Sequence, residues 1–191
     1  KQGILLVLSA PSGAGKHTVL SRLRGIDRGL TAAISATTRT PRQGEKEGRD
    51  YYFLSREEFD HRIAAGAFAE WAEVHGNRYG TLIPELDRCL ATGGDVLLEL
   101  DVQGMRKMRS QRPDMVSVFL MAPSLDELER RLRNRNTENE ATIALRLKNA
   151  RAEVDARKEF DYIVVNDTVD EAAEDLRAIL RAERCRASRQ P

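Results

Sequence analysis

The 191-residue chain lacks several features that define common classes of protein. It has only two cysteines and three histidines, too few and too scattered for a disulfide framework or a zinc site of recognisable spacing. Its longest apolar runs, such as residues 4–8, are too short to cross a bilayer, and no signal-peptide pattern opens the sequence. We therefore expect a cytoplasmic protein without a membrane segment.

The chain also lacks a net charge of either sign, with 31 Lys and Arg against 30 Asp and Glu. This balance gives no case for a nucleic-acid polymer or an anionic membrane as partner, although local basic clusters are still possible. Hydrophobic residues make up 41% of the chain, which is enough for a core. The length fits one compact domain, or one domain with a small insertion.

Short apolar runs separated by helical patterns indicate the fold class. Continuous apolar runs of this kind are typical of strands buried on both faces of a parallel sheet. The predicted strands are residues 4–9, 95–101, 116–121 and 161–166, with a further short strand at 31–35. Because helices are predicted between most of these strands, we expect an α/β fold with a mainly parallel sheet flanked by helices.

The ends of several helices are predicted by single residues. Gly25 is expected to end the helix that follows the first strand. The pairs Ser55–Glu58 and Ser124–Glu127 have the spacing of a capping box, in which each residue satisfies a backbone N–H of the other. A further helix is predicted over 82–90, ended by two glycines.

A glycine-rich turn, APSGAGKHT at residues 10–18, joins the first strand to the first helix. Its core matches the phosphate loop G-x-x-x-x-G-K-[ST], in which glycines let backbone N–H groups surround phosphate oxygens and the lysine reaches the β- and γ-phosphates. Ala10 and His17 depart from that pattern. The alternative is an ordinary turn into a helix, but the adjacent Lys16 favours phosphate binding.

His17 stands where a phosphate loop normally offers Mg²⁺ a hydroxyl. Imidazole is a poor ligand for this hard cation, and the hydroxyl of Thr18 points about 100° further around the helix. We expect Mg²⁺ to be held mainly by nucleotide oxygens and water molecules, with acidic residues acting through that water.

The loop SATTRTPRQGEKEGRDYYF, residues 35–53, is polar and has no periodicity. Arg39 and Arg42 lie on either side of Pro41, which stiffens the segment, and two guanidinium groups can grip one phosphate. Tyr51 could add a hydroxyl. A solvated basic loop is the alternative.

Four motifs in register resemble those of the guanylate kinase family: APSGAGKHT, SATTRTPRQGEKEGRDYYF, EWAEVHGNRYG and ELDVQG. The resemblance extends from about Gly3 to the final helix. It implies a P-loop NTPase core formed by residues 1–34, 82–127 and 156–191, a GMP-binding region at 35–81 and a helical lid at 128–155. It further implies direct phosphoryl transfer from ATP to GMP and dGMP, with Mg²⁺ as cofactor, in purine nucleotide metabolism.

The resemblance also implies roles for individual residues. ATP would contact Ala10, Pro11, Ser12, Gly13, Ala14, Gly15, Lys16, His17, Thr18, Arg131 and Asn166. GMP would contact Ser35, Arg39, Arg42, Glu45, Tyr51, Glu70, Tyr79, Thr81 and Asp101. Catalysis would rest on Lys16, Arg39, Arg135 and Arg146. Glu99 would serve the water shell of the metal, with no direct protein ligand predicted.

The predicted base contacts suit guanine. The carboxylate of Glu70 can accept from N1–H and N2–H, while the hydroxyls of Ser35 and Thr81 suit O6. Adenine would leave these groups unpaired. A non-catalytic guanylate-kinase-like binding module and a kinase of the same fold acting on a ribose phosphate are the alternatives.

Two further points concern the lid and the assembly. In the lid, Asn136 replaces a usual glycine, and we expect Arg130 and Arg133 to be solvated. The sequence leaves the oligomeric state open, including a homo-oligomer.

Overall fold

The computed structural model describes residues 3–31, 33–74, 76–134 and 140–190. Its strands are β1 (Leu5–Ser9), β2 (Leu30–Thr31), β3 (Ser35–Thr37), β4 (Tyr52–Phe53), β5 (Phe68–Val74), β6 (Asn77–Leu82), β7 (Asp95–Glu99), β8 (Val116–Met121) and β9 (Tyr162–Val165). Its α-helices are α1 (Lys16–Ile26), α2 (Arg56–Ala64), α3 (Ile83–Ala91), α4 (Val102–Gln111), α5 (Leu125–Arg133), α6 (Glu140–Asp155) and α7 (Val169–Arg184).

The central sheet has five parallel strands in the order β2-β7-β1-β8-β9. Every residue of β1 is buried, and its side chains alternate between two hydrophobic cores. Leu6 packs in the core that α1 and α7 cover, whereas Val7 packs in the core that α3 and α4 cover. Such burial on both faces is what a continuous apolar strand requires, and it confirms the predicted α/β fold class.

A second sheet of four strands, in the order β4-β3-β6-β5, lies between β2 and α3 in the chain. Its pairs are antiparallel except that of β3 with β4. Helix α2 covers it through a small core in which the rings of Phe59 and Phe68 stack with centroids 4.3 Å apart. Ser55 and Glu58 form the predicted capping box at the start of α2, with both reciprocal hydrogen bonds present.

The predicted single strand at 31–35 is wrong, because the chain changes sheets there. Thr31 ends β2 and pairs with Val96 of the central sheet, whereas Ser35 begins β3 and pairs with Thr81 of the second sheet. The strand predicted over 95–101 is also shorter than expected. It ends at Glu99, since Asp101 already caps α4 by accepting a hydrogen bond from the Gly104 amide at 2.6 Å.

Two predicted helix ends are also corrected. Gly25 does not end α1, which runs to Ile26 and stops where Asp27 takes an extended conformation. A side chain at position 25 would meet nothing within 4 Å, so this glycine is at an open surface rather than at a strained turn. At α5, the Ser124 hydroxyl accepts from the Glu127 amide, but the Glu127 carboxylate binds arginines instead of completing a capping box.

Helices α5 and α6 lie beside the phosphate loop rather than apart from it. Leu128 and Ala150 are buried in a small core together with Ala14 of the loop. The predicted boundary between residues 127 and 128 falls inside α5. No helix in the described ranges is both long and apolar enough to cross a membrane.

Candidate active site

The turn between β1 and α1 has the backbone of a phosphate-binding loop. Gly13 and Gly15 adopt left-handed conformations, with φ of +92° and +85°. A Cβ atom at Gly15 would lie 2.4 Å from Nδ2 of Asn166, and one at Gly13 would press on Leu132 of α5 at 3.0 Å. Both positions therefore require glycine, because φ is positive and neighbouring side chains occupy the space that a Cβ atom would need.

Asn166, which directly follows β9, is hydrogen-bonded to this loop. Its Nδ2 donates to the Ala14 carbonyl at 2.7 Å, and its own backbone carbonyl accepts from the Arg131 guanidinium at 3.0 Å. The side chain is 3% exposed. The predicted ATP-binding pair Asn166 and Arg131 thus lies against the loop and links it to α5.

The lysine of the loop contacts the end of β7. Lys16 Nζ lies 3.5 Å from Oε2 of Glu99, and the two side chains are about one-third exposed. Glu153 of α6 also faces this place: burial raises the pKa of its carboxyl, as does the charge of Asp101, while Lys16 acts in the opposite direction. Glu153 belongs to none of the sequence motifs, and its spacing within α6 gives no distinguishing signal.

Other predicted donor-side residues have definite places. Arg146 of α6 donates to the Ser12 hydroxyl at 3.1 Å, so α6 reaches the loop. His17 and Thr18 are exposed on the first turn of α1, Pro11 is buried, and Ala10 packs against the core. Arg135 and Asn136 lie outside the described residues.

The two arginines predicted to be solvated in this region are exposed and paired with carboxylates. Arg130 binds Glu127, and Arg133 binds Glu129 and Glu140.

The residues predicted to bind the acceptor phosphate form a cluster around Arg39. Its guanidinium donates to both carboxylate oxygens of Glu45, at 2.8 and 3.0 Å, and lies 5.5 Å from the centroid of the Tyr51 ring. The Tyr51 ring packs edge-on to that of Tyr79, and the Glu45 carboxylate also accepts from the Arg42 amide at 2.7 Å. Glu45 and Tyr79 raise the pKa of Arg39, and Arg39 in turn lowers the pKa of Glu45. The structure therefore brings together the five residues predicted here.

A cleft of about 180 Å³ separates the second sheet from the end of β7. It contains three of the four predicted base contacts, Ser35, Glu70 and Thr81. Strand pairing explains this, because Ser35 and Glu70 are both register partners of Thr81 on β6. The Thr81 hydroxyl donates to Glu70 Oε1 at 2.8 Å. Burial raises the pKa of the Glu70 carboxyl, and the hydrogen bonds from Thr81 only partly oppose that effect.

The fourth predicted base contact, Asp101, does not line this cleft in the structure. It is exposed and caps α4, whereas Glu99 and Arg24 line the cleft. Arg24 was missed by the sequence analysis. The available signal was its position eight residues after Lys16, about two turns along the same helix.

A divalent metal would find no dedicated protein cage in the described ranges, where no group of three or more His, Cys, Asp or Glu side chains could hold one. The donor set still fits a hydrated hard cation. The Glu99 carboxylate stands beside the loop lysine and can accept hydrogen bonds from metal-bound water.

A parallel α/β core whose first strand runs into a glycine loop, with a base-sized cleft and an arginine site beyond it, defines the class of P-loop nucleotide kinases. The guanylate kinase family model matches residues 2–183. The guanylate kinase of Syntrophotalea carbinolica is 47% identical over 189 residues, covering 99% of this chain and 90% of the relative. That of Anaeromyxobacter dehalogenans is 51% identical over 187 residues, covering 96% and 82%.

A solved structure agrees with these relatives. The crystal structure of guanylate kinase from Anaplasma phagocytophilum is 39% identical and superposes with a TM-score of 0.71, covering 99% of this chain and 90% of that one. The chain belongs to the guanylate kinase family. The predicted family is therefore confirmed.

Proposed function

We propose that this enzyme transfers the γ-phosphoryl group of ATP directly to the phosphate of GMP, and of dGMP, without a covalent intermediate. The observation that carries the proposal is the cleft in which Glu70, Ser35 and Thr81 meet within reach of Glu99, the residue that contacts Lys16 of the phosphate loop. Membership of the guanylate kinase family supports it.

The acceptor phosphate binds at the Arg39 site. We expect Arg39 and Arg42 to supply guanidinium donors. Tyr51 and Tyr79, whose rings pack together beside Arg39, would supply hydroxyl groups. Glu45 holds Arg39 through two hydrogen bonds and so fixes the direction of its fork before GMP arrives. A positioned guanidinium pair can hold a phosphate dianion in one orientation for attack on ATP.

The guanine base binds in the cleft next to Glu70. Thr81 occupies one carboxylate oxygen of Glu70 and leaves the other for N1–H and N2–H of the base. Burial desolvates the Glu70 carboxylate and raises its pKa, so the ionised group gains when N1–H and N2–H of guanine donate to it. AMP offers no donor at N1 and is disfavoured.

The donor triphosphate binds around the loop at residues 10–18, with Lys16 exchanging Glu99 for the β- and γ-phosphates. Asn166 and Arg131 keep the loop in its open, left-handed form. Arg146, already hydrogen-bonded to Ser12 of the loop, neutralises charge on the transferring group, together with Arg135.

When bound, Mg²⁺ would supply positive charge that neutralises the phosphate oxygens of ATP. In this chain Glu99 would accept hydrogen bonds from water bound to the metal, and the exposed His17 would offer the metal no oxygen. We therefore expect His17→Ser to lower the Mg²⁺ concentration for half-maximal turnover, because serine adds the hydroxyl oxygen that this hard cation prefers. Mg²⁺ titrations of turnover check this, with His61→Ser on α2 as the matched control. An unchanged Mg²⁺ dependence would show that position 17 is not limiting.

We propose the same division of the chain that the family resemblance implies. Residues 35–81 form the GMP-binding region and 128–155 the lid, with 1–34, 82–127 and 156–191 as the core. The separate small core beneath the second sheet supports the first assignment. ATP and GMP are the partners, rather than a nucleic-acid polymer, which the balanced charge supports. The free thiols Cys89 and Cys185 support a reducing, cytoplasmic location.

A coupled kinase assay with ATP and Mg²⁺ against GMP, dGMP, AMP, CMP and ribose phosphates tests the proposal. We expect turnover with GMP and dGMP and far lower kcat/KM with the others. Binding of GMP without turnover would overturn the proposed activity in favour of a binding module. Preferred turnover of a ribose phosphate would overturn the proposed substrate.

A further inference from the structure

Arg24 lies in the cleft that holds Glu70, although no motif marks it. It extends from the third turn of α1, and its side chain is 52% exposed. Its Nη2 atom lies 4.0 Å from Oε1 of Glu99, too far for a hydrogen bond. Within the described part of the chain the Arg24 guanidinium has this one charged contact, so its N–H donors are available to a ligand in the cleft.

The lining of the cleft is complementary to the two edges of guanine. Glu70 accepts hydrogen bonds, which suits N1–H and N2–H on the Watson–Crick edge. Arg24 is the only cationic side chain among the described lining residues. The neighbouring edge of guanine carries two acceptors, O6 and N7, at the spacing of a guanidinium fork, and an arginine that donates to both is the commonest specific contact to this base.

We propose that Arg24 is a specificity-determining residue that donates to O6 and N7 of the guanine base of GMP. The inference rests on the proposed function, in which GMP is the acceptor. Glu99 holds the Arg24 guanidinium at the cleft by charge without binding it closely, so the group turns to the base when GMP enters. Glu70 and Arg24 then read adjacent edges of guanine, and adenine, with an amino group at position 6, fits neither.

The test compares two ligands in two proteins. Binding of GMP and of 7-deaza-GMP, in which C–H replaces N7, is measured by calorimetry with the wild-type chain and with Arg24→Met, which keeps the length of the side chain and removes its donors. In the wild type we expect 7-deaza-GMP to bind about 3- to 10-fold more weakly than GMP, the effect of one hydrogen bond. In Arg24→Met we expect GMP to bind roughly 5- to 20-fold more weakly, the low end for a bidentate contact, because Arg24 is half-exposed.

The decisive quantity is the ratio of the affinity for GMP to the affinity for 7-deaza-GMP. In Arg24→Met this ratio should fall to about one, since the partner of N7 is gone. Arg22→Gln is the matched control, because Arg22 lies on the same helix but binds Asp170 at 2.6 Å and not the cleft. Its GMP affinity and its ratio should stay at wild-type values.

Three results would overturn the inference. Equal weakening of GMP and 7-deaza-GMP in Arg24→Met would show that Arg24 acts only through Glu99. Unchanged GMP binding in Arg24→Met would show that Arg24 does not touch the base. Failure of the wild type itself to bind GMP would remove the proposed function as well, and this result is distinguished from the other two by the wild-type measurement alone.

Discussion

Replacement of Glu70 by glutamine tests how the cleft reads its ligand. The change keeps the shape of the side chain and replaces one carboxylate oxygen with an NH2 group. One oxygen is still needed to accept from the Thr81 hydroxyl, which lies 2.8 Å away in the wild type. The amide nitrogen would then face N1–H of guanine, donor against donor.

The size of the effect follows from the chemistry of the lost contact. A hydrogen bond to a charged group contributes about 1.5–3 kcal/mol. Its removal should lower kcat/KM for GMP by roughly 10- to 150-fold. The kcat/KM for AMP should change little, because AMP has no donor at N1.

Folding stability should respond in the opposite direction. The folded-state pKa of Glu70 is raised by burial, so its contribution to stability is present at low pH and is lost as pH rises through that raised value. At neutral pH the ionised carboxylate therefore opposes folding. Glu70→Gln should unfold at the same temperature as the wild type or at a higher one, although its activity is lower.

The assay measures kcat/KM for GMP and AMP with the wild type, Glu70→Gln and Glu73→Gln. Glu73 is the matched control on the same strand, since it pairs with Arg56 at the surface. In the wild type alone, KM for GMP should rise as pH falls through the pKa of Glu70. Equal losses for GMP and AMP in Glu70→Gln, or a loss explained by unfolding, would refute the assigned role.

Two further predictions concern stability. Hydrogen bonds with Arg88 are the chief cause that lowers the pKa of Glu85 from 4.5 to about 2. At 1.36 kcal/mol per pH unit, this shift sets an upper limit of about 3 kcal/mol on the stabilisation that the ionised Glu85 contributes. Because Arg88 is 59% exposed, we expect Glu85→Gln to lower the free energy of unfolding by roughly 1–2 kcal/mol at pH 7, measured by chemical denaturation. The difference from the wild type should shrink as pH falls below 4.5 toward 2. A difference that does not depend on pH would contradict this prediction. In the same assay Arg184→Met should lower the free energy of unfolding by about 3–5 kcal/mol, since Asp27 and Asp95 would be left buried without their cation. A decrease below about 1 kcal/mol would contradict this expectation.

Strands β1, β7, β8 and β9 of the central sheet could be predicted from the sequence because each is a short continuous apolar run, which is typical of a parallel sheet. The passage of the chain between sheets at residues 31–35 could not. It depends on pairing with Val96 and Thr81, which are distant in the sequence. Helix α4 was also missed, because its buried face rests on Met105 and Met108 alone, too few apolar positions to show a helical period.

The candidate site was predicted where side chains belong to local motifs. Arg39, Glu45 and Tyr51 lie within one loop, and the structure brings them together. Arg24 reaches the cleft only because α1 carries it there from the phosphate loop, and its spacing from Lys16 is the one sequence signal of that position. Asp101 lies two residues after Glu99, and the hydrogen-bonding demand of the α4 terminus places it at a helix cap.

Transfer of labelled phosphate from ATP is the most direct test of the central claim. The wild-type chain is incubated with GMP, Mg²⁺ and ATP labelled at the γ-phosphate, and the products are separated by chromatography. We predict that the label moves to the β-position of GDP in step with ADP formation, with none on the protein. Label found in inorganic phosphate or on the protein, with GMP unchanged, would contradict it.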